Sequence, residues 1–156
     1  MIQFNDDEQS WGRLDFQIIS SGFYKLYSNA TQLNDDISWL KLENYNIIEF
    51  DCAAWIDKET MYNSLHEKFD FPVYFGRNWD ALQESLNEIE IVENGCVVVF
   101  QNLDLAHYKL RQNLVEIFLT SAQRHLIFRK YLLVLIKVSN RNFSLKPMSK
   151  TIFYWH

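Results

Sequence analysis

The chain has 156 residues, the usual size of a single domain. Hydrophobic residues make up 48% of it and charged residues 22%, with only 4 glycines and 2 prolines. This is the composition of a folded globular protein, and it excludes a disordered chain, a collagen-like chain and long flexible linkers.

Charge is distributed unevenly along the chain, whose net charge is −5. Residues 1–45 hold three basic residues against seven acidic ones, and residues 46–106 hold three against twelve. Residues 107–156 reverse this balance, with nine basic residues against Glu116 alone. The acidic middle suits a basic partner, because clustered charge steers association. The basic final third could bind nucleic acid, or it could face the acidic part of its own chain.

The cysteines and the N-terminus indicate where the protein resides. Cys52 and Cys96 adjoin apolar runs, which predicts free buried thiols in a reducing compartment. The first eight residues are acidic and lack the basic region and apolar core of a signal peptide. No stretch approaches the roughly 18 apolar residues of a membrane span. We therefore expect a cytoplasmic protein with no membrane partner.

The N-terminal part of the chain shows period-two patterns. Apolar and polar residues alternate over residues 14–18 and 23–27, and Gly22 lies between the two runs. Alternation around a glycine-containing turn predicts an antiparallel hairpin. Residues 29–45 fit either a short helix or an extended run. Residues 1–45 are therefore expected to form an N-terminal β-hairpin extension.

From residue 46 onwards the pattern becomes that of an α/β domain. Near-continuous apolar runs predict buried parallel strands at residues 47–53, 96–100 and 131–136. Helical patterns lie between them at residues 58–69, 78–89 and 104–128. The order β-α-α-β-α-β predicts a three-stranded parallel sheet with helices, in a domain of residues 46–140. Residues 141–156 form a C-terminal tail, of which residues 143–155 resemble one more strand that could pair with the hairpin.

One segment carries a pattern that bears on function. An aromatic loop with Tyr74 and Phe75 ends at Gly76, and Asn78 is well suited to cap the helix that follows. At helical spacing the helix has two opposite faces. Its apolar stripe consists of Trp79, Leu82, Leu86 and Ile89. Its acidic row consists of Asp80, Glu84 and Glu88.

The acidic row has two interpretations. Carboxylates at i, i+4 and i+8 repel one another, and no basic residue lies between Asn78 and Glu93 to relieve the repulsion. A solvated acidic face would explain the row by itself. The neighbouring aromatic loop and the lack of nearby cations favour a surface that binds a basic partner.

The sequence Pro-x-Tyr-Phe-Gly-x-Asn-Trp-Asp-Ala-Leu-x-x-x-Leu, from Pro72 to Leu86, resembles the motif of the barstar (barnase inhibitor) family. The element order over residues 46–138 is also similar to that family's sheet of three parallel strands. The resemblance implies a non-enzymatic inhibitor of a ribonuclease, such as an immunity protein that binds a toxin nuclease one to one. It implies that the helix after the aromatic loop plugs the nuclease active site, with carboxylates in place of RNA phosphates.

The resemblance also assigns roles to individual residues. It implies that Tyr74 is the contacting aromatic, that Gly76 and Asn78 shape the loop, and that Asp80 is the first contacting acid. Glu84 stands where the family's dominant contact is usually an aspartate. We place Gln83, Asn87 and Glu88 at the rim. The expected partner-binding residues are Tyr74, Phe75, Gly76, Asn78, Trp79, Asp80, Gln83, Glu84, Asn87 and Glu88.

Three departures from the family pattern bear on the partner. Gln83 replaces an aromatic residue of the best-known member, and Trp79 is larger than the usual aliphatic residue. That member also has a contacting acid near the position of Thr120, where we identify none. These changes suggest a nuclease other than the one for which the family is named.

Other function classes have weaker support. The sequence has no nucleophile elbow, P-loop or dinucleotide fingerprint, and its histidines lack metal-ligand spacing, so we expect no enzyme, cofactor or metal site. Those histidines are His66, His107, His125 and His156. One alternative is a nucleic-acid-binding module that uses the basic final third with its tail aromatics. Its residues would be Lys109, Arg111, Arg124, Arg129, Lys130, Lys137, Arg141, Lys146, Lys150, Phe143, Phe153, Tyr154 and Trp155. Another alternative is a generic protein-interaction domain whose partner is not a nuclease.

Overall fold

The computed structural model describes residues 4, 8–72 and 76–146. Within them the chain forms six α-helices and four β-strands. The helices are α1 (Glu8–Trp11), α2 (Leu14–Ser20), α3 (Ala30–Leu42), α4 (Lys58–Phe69), α5 (Trp79–Glu88) and α6 (Tyr108–Ile127). The strands are β1 (Tyr24–Tyr27), β2 (Tyr45–Asp51), β3 (Gly95–Gln101) and β4 (Leu132–Lys137).

The four strands form one parallel sheet in the order β1-β4-β3-β2. The central strands β3 and β4 are buried along almost their whole length, because helices cover both faces of the sheet. The chain passes from β1 at one edge of the sheet to β2 at the other edge. It then returns in the opposite direction through β3 to β4. Right-handed crossovers therefore place α3 on the face opposite α6. The predicted α/β class and the three strands of the middle segment are confirmed.

The core beneath α4 and α6 is aromatic. Phe50 of β2 stacks on Phe100 of β3 with ring centroids 5.9 Å apart. Phe118 of α6 meets Phe100 edge-on at 5.1 Å, and Phe69 of α4 lies 5.9 Å from Phe118. These rings join β2, β3, α4 and α6 into one packed layer, which supports the helices from which the site is built.

The predicted N-terminal hairpin is wrong. Residues 14–20 form α2, which ends in a Schellman motif: the Gly22 amide donates to the Ile19 carbonyl and the Phe23 amide to the Ile18 carbonyl. Gly22 has a φ of +104°, which a residue with a side chain rarely adopts. The alternation was misleading because a strand and a helix both place residues i and i+4, such as Leu14 and Ile18, on one face. Ile19 is also buried, which fits a helix and does not fit a strand with alternating faces.

The N-terminal segment instead supplies a fourth strand, so the sheet is not three-stranded as predicted. β1 pairs in parallel with β4, and residue 24 lies beside residue 134. Residues 30–42, whose sequence fits a helix or a strand, form α3 with Asn29 as its cap. The division into residues 1–45, 46–140 and 141–156 stays a prediction, with β1 and α3 packed on the sheet of the middle segment.

The described part of the tail is not a strand. Residues 141–146 are irregular, and Gln112 of α6 holds Lys146 through two hydrogen bonds between its side-chain amide and the Lys146 backbone. The predicted tail strand otherwise falls on residues 147–155, which lie outside the described residues.

Several local predictions are confirmed. The helices at residues 58–69, 78–89 and 104–128 correspond to α4, α5 and α6, with α6 beginning at residue 108 after a short 3-10 helix. Cys52 and Cys96 are free and buried. Burial raises the pKa of Cys96 to about 12 and raises that of Cys52 as well.

No helix among the described residues is long and apolar enough to cross a membrane.

Candidate partner-binding site

Helix α5 begins as its sequence predicts. Asn78 has an extended backbone, and its side-chain oxygen accepts the Ala81 amide at 2.8 Å. The Asn78 carbonyl accepts the Leu82 amide at 3.0 Å, which closes the first helical turn. Asp80 lies in the first turn of the helix, and its side chain is exposed to solvent.

The two faces of α5 are those predicted from its spacing. Leu82 and Leu86 are completely buried, whereas Trp79 and Ile89 are partly buried against the core. The carboxylates of the acidic row, Asp80, Glu84 and Glu88, are exposed. Among the described residues none of the three accepts a hydrogen bond or forms an ion pair. The row is therefore available to an external cation.

Trp79 fixes the N-terminal end of α5 to α4. Its ring meets the ring of Tyr62 edge-on, with centroids 5.8 Å apart. The ammonium of Lys58 lies 5.7 Å from the Trp79 ring centroid, where it interacts with the π face. Part of Trp79 remains accessible, since the residue is only partly buried.

A groove of about 250 Å³ separates the first half of α5 from α6. Apolar groups of Trp79 and Ile117 line it together with carboxylates of both helices. Its lining residues are Trp79, Asp80, Gln83, Asn113, Glu116, Ile117 and Thr120. The lining of the groove thus includes two carboxylates, two amides and one hydroxyl beside apolar groups.

Glu116 was missed in the sequence, where no acid was identified near Thr120. The two residues are one helical turn apart, and the Thr120 hydroxyl donates to the Glu116 carbonyl at 2.8 Å. The available signal was the i, i+4 spacing, which places both side chains on one face of α6. Which side of α6 faces α5 depends on tertiary packing, so the sequence alone could not place Glu116 beside Asp80.

Gln83 and Asn87 turn towards α6. The Gln83 side-chain amide donates to Asn87 Oδ1 at 3.2 Å and to Ser121 Oγ at 3.0 Å. The Ser121 hydroxyl donates to Asn87 Oδ1 at 2.7 Å. One turn later, His125 Nε2 lies 2.8 Å from the carbonyl oxygen of Leu86. The α5–α6 interface is therefore polar along one side.

A model of the family described as "Barstar (barnase inhibitor)" matches residues 45–135, more than half of the chain. The chain belongs to the barstar family. The match spans β2 to β4 and includes α5 and the groove. The family is one of inhibitors rather than enzymes, and its description names a nuclease, barnase, as the protein inhibited.

The other comparisons add little. No curated protein matches the chain. Among solved structures, a chain of the "Structure of Drosophila ORC bound to AT-rich DNA and Cdc6" is similar at 18% identity and a TM-score of 0.48. The likeness covers 81% of this chain and 43% of that one. A likeness at this TM-score carries no information about function.

The loop before α5 is described only in part. Tyr74 and Phe75, which the barstar resemblance places in contact with the partner, lie outside the described residues. Gly76 is exposed, and a Cβ there would make ordinary van der Waals contacts with Ala81 and Asn78. The barstar-like fold therefore does not itself require glycine at this position.

Cations near the acidic row are engaged with neutral groups. Arg77 donates to the side-chain oxygen of Asn63 on α4. Lys68 donates to the backbone carbonyl of Glu49, and its ammonium lies 5.1 Å from the Phe50 ring centroid. Neither neutralises a carboxylate of α5, so the face keeps its negative charge.

Two residues considered for the other function classes, Arg111 and His107, have structural roles, whereas Lys150, Phe153, Tyr154 and Trp155 lie outside the described residues. Arg111 donates to the Asp104 carbonyl at 3.0 Å and lies over the ring of Phe143. His107 caps α6 by accepting the Lys109 amide. Among the described residues no group of three His, Cys, Asp or Glu side chains could hold a metal ion.

Proposed function

We propose that this protein is a non-enzymatic inhibitor that binds a toxin ribonuclease one to one and blocks its active site. The observation that carries the proposal is the acidic row of α5, exposed and unpaired, beside a groove to which α6 adds Glu116. Membership of an inhibitor family supports the same role. The buried free thiols suit a reducing compartment such as the cytoplasm.

The mechanism follows from charge. A ribonuclease active site is cationic because it binds the phosphates of RNA. Asp80 and Glu84 offer carboxylates to those cations, and the helix presents them at fixed spacing. In such an interface the cations of the nuclease replace the water lost by the carboxylates, and each charged hydrogen bond contributes more than an exposed ion pair.

The groove adds a second element to the proposed interface. A cationic side chain from the nuclease could enter between Asp80 and Glu116 and lie against the indole of Trp79. The amide and hydroxyl groups around the groove would accept its remaining donors. Tyr74, Phe75 and Gly76 would complete the interface from the loop before α5, as the family resemblance implies.

The test combines capture with inhibition. The wild-type protein is used to capture partners from native lysate, and its inhibition of barnase and of any captured nuclease is measured. The Asp80→Asn/Glu84→Gln variant should lose both activities. Asp35→Asn/Glu59→Gln is the matched control, because it removes two exposed carboxylates outside α5. Inhibition of a nuclease by wild type and control, and not by the α5 variant, would support the proposal.

Two results would contradict it. Failure to inhibit any nuclease would remove the inhibitor role. Inhibition that survives in the α5 variant would move the interface elsewhere. A salt-sensitive shift of RNA by the free protein would instead favour the nucleic-acid-binding alternative.

A further inference from the structure

Three polar side chains form a closed set of hydrogen bonds between α5 and α6. Asn87 Oδ1 accepts both the Ser121 hydroxyl, at 2.7 Å, and the Gln83 side-chain amide, at 3.2 Å. The Gln83 amide also donates to Ser121 Oγ at 3.0 Å. We call this set of Gln83, Asn87 and Ser121 the clamp.

Because Ser121 is buried, the clamp favours one position of α5 along α6. Ser121 is 0% exposed, so its hydroxyl needs a partner inside the protein, and Asn87 supplies that partner. A shift of α5 along α6 would separate the three groups and leave a buried hydroxyl unsatisfied. The neighbouring contact of buried His125 with the Leu86 carbonyl opposes the same shift.

The position of the clamp connects it to the acidic face. Trp79 holds the first turn of α5 against α4, while the clamp holds its second half against α6. Asp80 precedes Gln83 by one turn, and Glu116 lies just over one turn before Ser121. The spacing between the two carboxylates across the groove is therefore set by the register of the two helices.

We propose that Asn87 and Ser121 are positioning residues, joined to the groove by Gln83, that fix α5 on α6 and thereby hold Asp80 opposite Glu116. The inference rests on the proposed function for its effect on a partner. It gives Asn87 a role inside the protein in place of the rim contact expected from the sequence.

The first experiment needs no partner. Amide hydrogen exchange of the full chain is compared between wild type, Ser121→Ala and Asn87→Leu. Exchange over residues 83–88 should accelerate by about tenfold in both variants, and that of β3 should not change. Asn87→Asp is the conservative variant, because it keeps the oxygen that accepts both bonds, and its exchange should stay within about twofold of wild type. Unchanged protection of α5 in Ser121→Ala would overturn the clamp.

The second experiment is a double-mutant cycle on binding. Ser121→Ala and Asp80→Asn are combined, and the dissociation constant is measured with barnase or whichever captured nuclease the wild-type protein inhibits. Ser121→Ala should weaken binding by about fivefold, and by clearly less when Asp80 is already neutral. If Ser121→Ala weakened binding by the same factor with and without Asp80→Asn, its role would be merely structural. The proposal that Ser121 positions Asp80 would then be wrong.

The two experiments separate the two proposals. If no nuclease is inhibited by wild type, the proposed function fails, while hydrogen exchange still decides whether the clamp holds α5 in place. If a nuclease is inhibited and exchange is unchanged in Ser121→Ala, the inhibitor role stands and the clamp is wrong.

Discussion

The charged side chains of the N-terminal segment and those of α5 are arranged in opposite ways. Arg13 pairs with Asp15 at 3.1 Å and with Glu43 at 2.6 Å, and Lys25 pairs with Asp36 at 2.8 Å. On α5 the three carboxylates of the acidic row have no partner among the described residues. Charges that hold the fold together are satisfied internally, whereas the row on α5 has no such partner, as expected of the partner-binding surface proposed above.

Asp15 is an example of a charge in the N-terminal segment that is satisfied inside the fold. Its carboxylate is fully buried, and it accepts two bonds from Arg13 and one from the Tyr45 hydroxyl at 2.7 Å. The bond to Asp15 raises the pKa of Arg13. The network ties α2 to the start of β2, so a charge here contributes to stability only together with its partners.

The largest expected effect comes from breaking this network. Asp15→Ala should lower the free energy of unfolding by about 3–5 kcal/mol, because it removes the acceptor of the buried Tyr45 hydroxyl and leaves the Arg13 guanidinium with Glu43 alone. Urea denaturation measures the loss. Asp35→Ala, on the exposed side of α3, should stay within about 0.5 kcal/mol of wild type. Equal effects of the two variants would contradict the structural role of Asp15.

The apolar face of α5 should matter nearly as much for stability. Leu86→Ala removes a fully buried side chain and should cost about 2–5 kcal/mol. Glu84→Ala on the opposite face should cost almost nothing, because removing one of a row of like charges relieves repulsion. If Glu84→Ala unfolded the protein in thermal denaturation, the acidic row would be structural.

The same acids should dominate binding. Asp80→Asn and Glu84→Gln should each weaken binding to the nuclease by about 10- to 150-fold, since a charged hydrogen bond contributes about 1.5–3 kcal/mol. Calorimetry or surface plasmon resonance measures the change, with Asp35→Asn as the control. An unchanged dissociation constant in both variants would place the interface away from α5.

Alkaline pH should weaken the fold through two tyrosines of the N-terminal half. Burial, followed by the hydrogen bonds to Asp36 and Asp15, raises the pKa of Tyr27 and of Tyr45 above the ordinary 10.0. Stability is thus unaffected below about pH 10 and falls above it, by about 1.4 kcal/mol per pH unit for each tyrosine, because only the unfolded state loses the proton. Urea midpoints at about pH 9 and pH 11 measure the slope. The slope should be shallower in Tyr27→Phe, and an identical slope would contradict the assignment.

The smallest expected effect is that of salt, which should change association through α5 more than it changes the stability that the N-terminal ion pairs support. Raising ionic strength from about 0.05 M to 0.5 M should slow association with the nuclease by about tenfold, because exposed charges steer the encounter. Stability should change far less, since buried pairs are poorly screened. Stopped-flow association and urea denaturation at both salt concentrations measure the two effects. Association rates that do not depend on salt would argue against steering by the acidic row.

How much the sequence could predict depended on whether a feature is local. The runs of β3 and β4, the Asn78 cap and the two faces of α5 follow from neighbouring residues, and all are confirmed. The helix α2 was misjudged because its short alternation fits two periods. The pairing of β1 with β4, the place of Glu116 in the groove and the clamp at Ser121 depend on segments far apart in sequence, and no local pattern encodes them.

The place of β1 in the sheet also affects how the protein folds during synthesis. Each β1 residue pairs with a residue that comes 110 positions later, such as Tyr24 with Val134. A ribosome therefore exposes β1 and α3 long before β4 exists to receive them. Such distant pairing slows folding, and the sheet closes only after nearly the whole described chain has emerged. We expect the nascent chain to gain its proposed partner-binding surface in one late step rather than gradually.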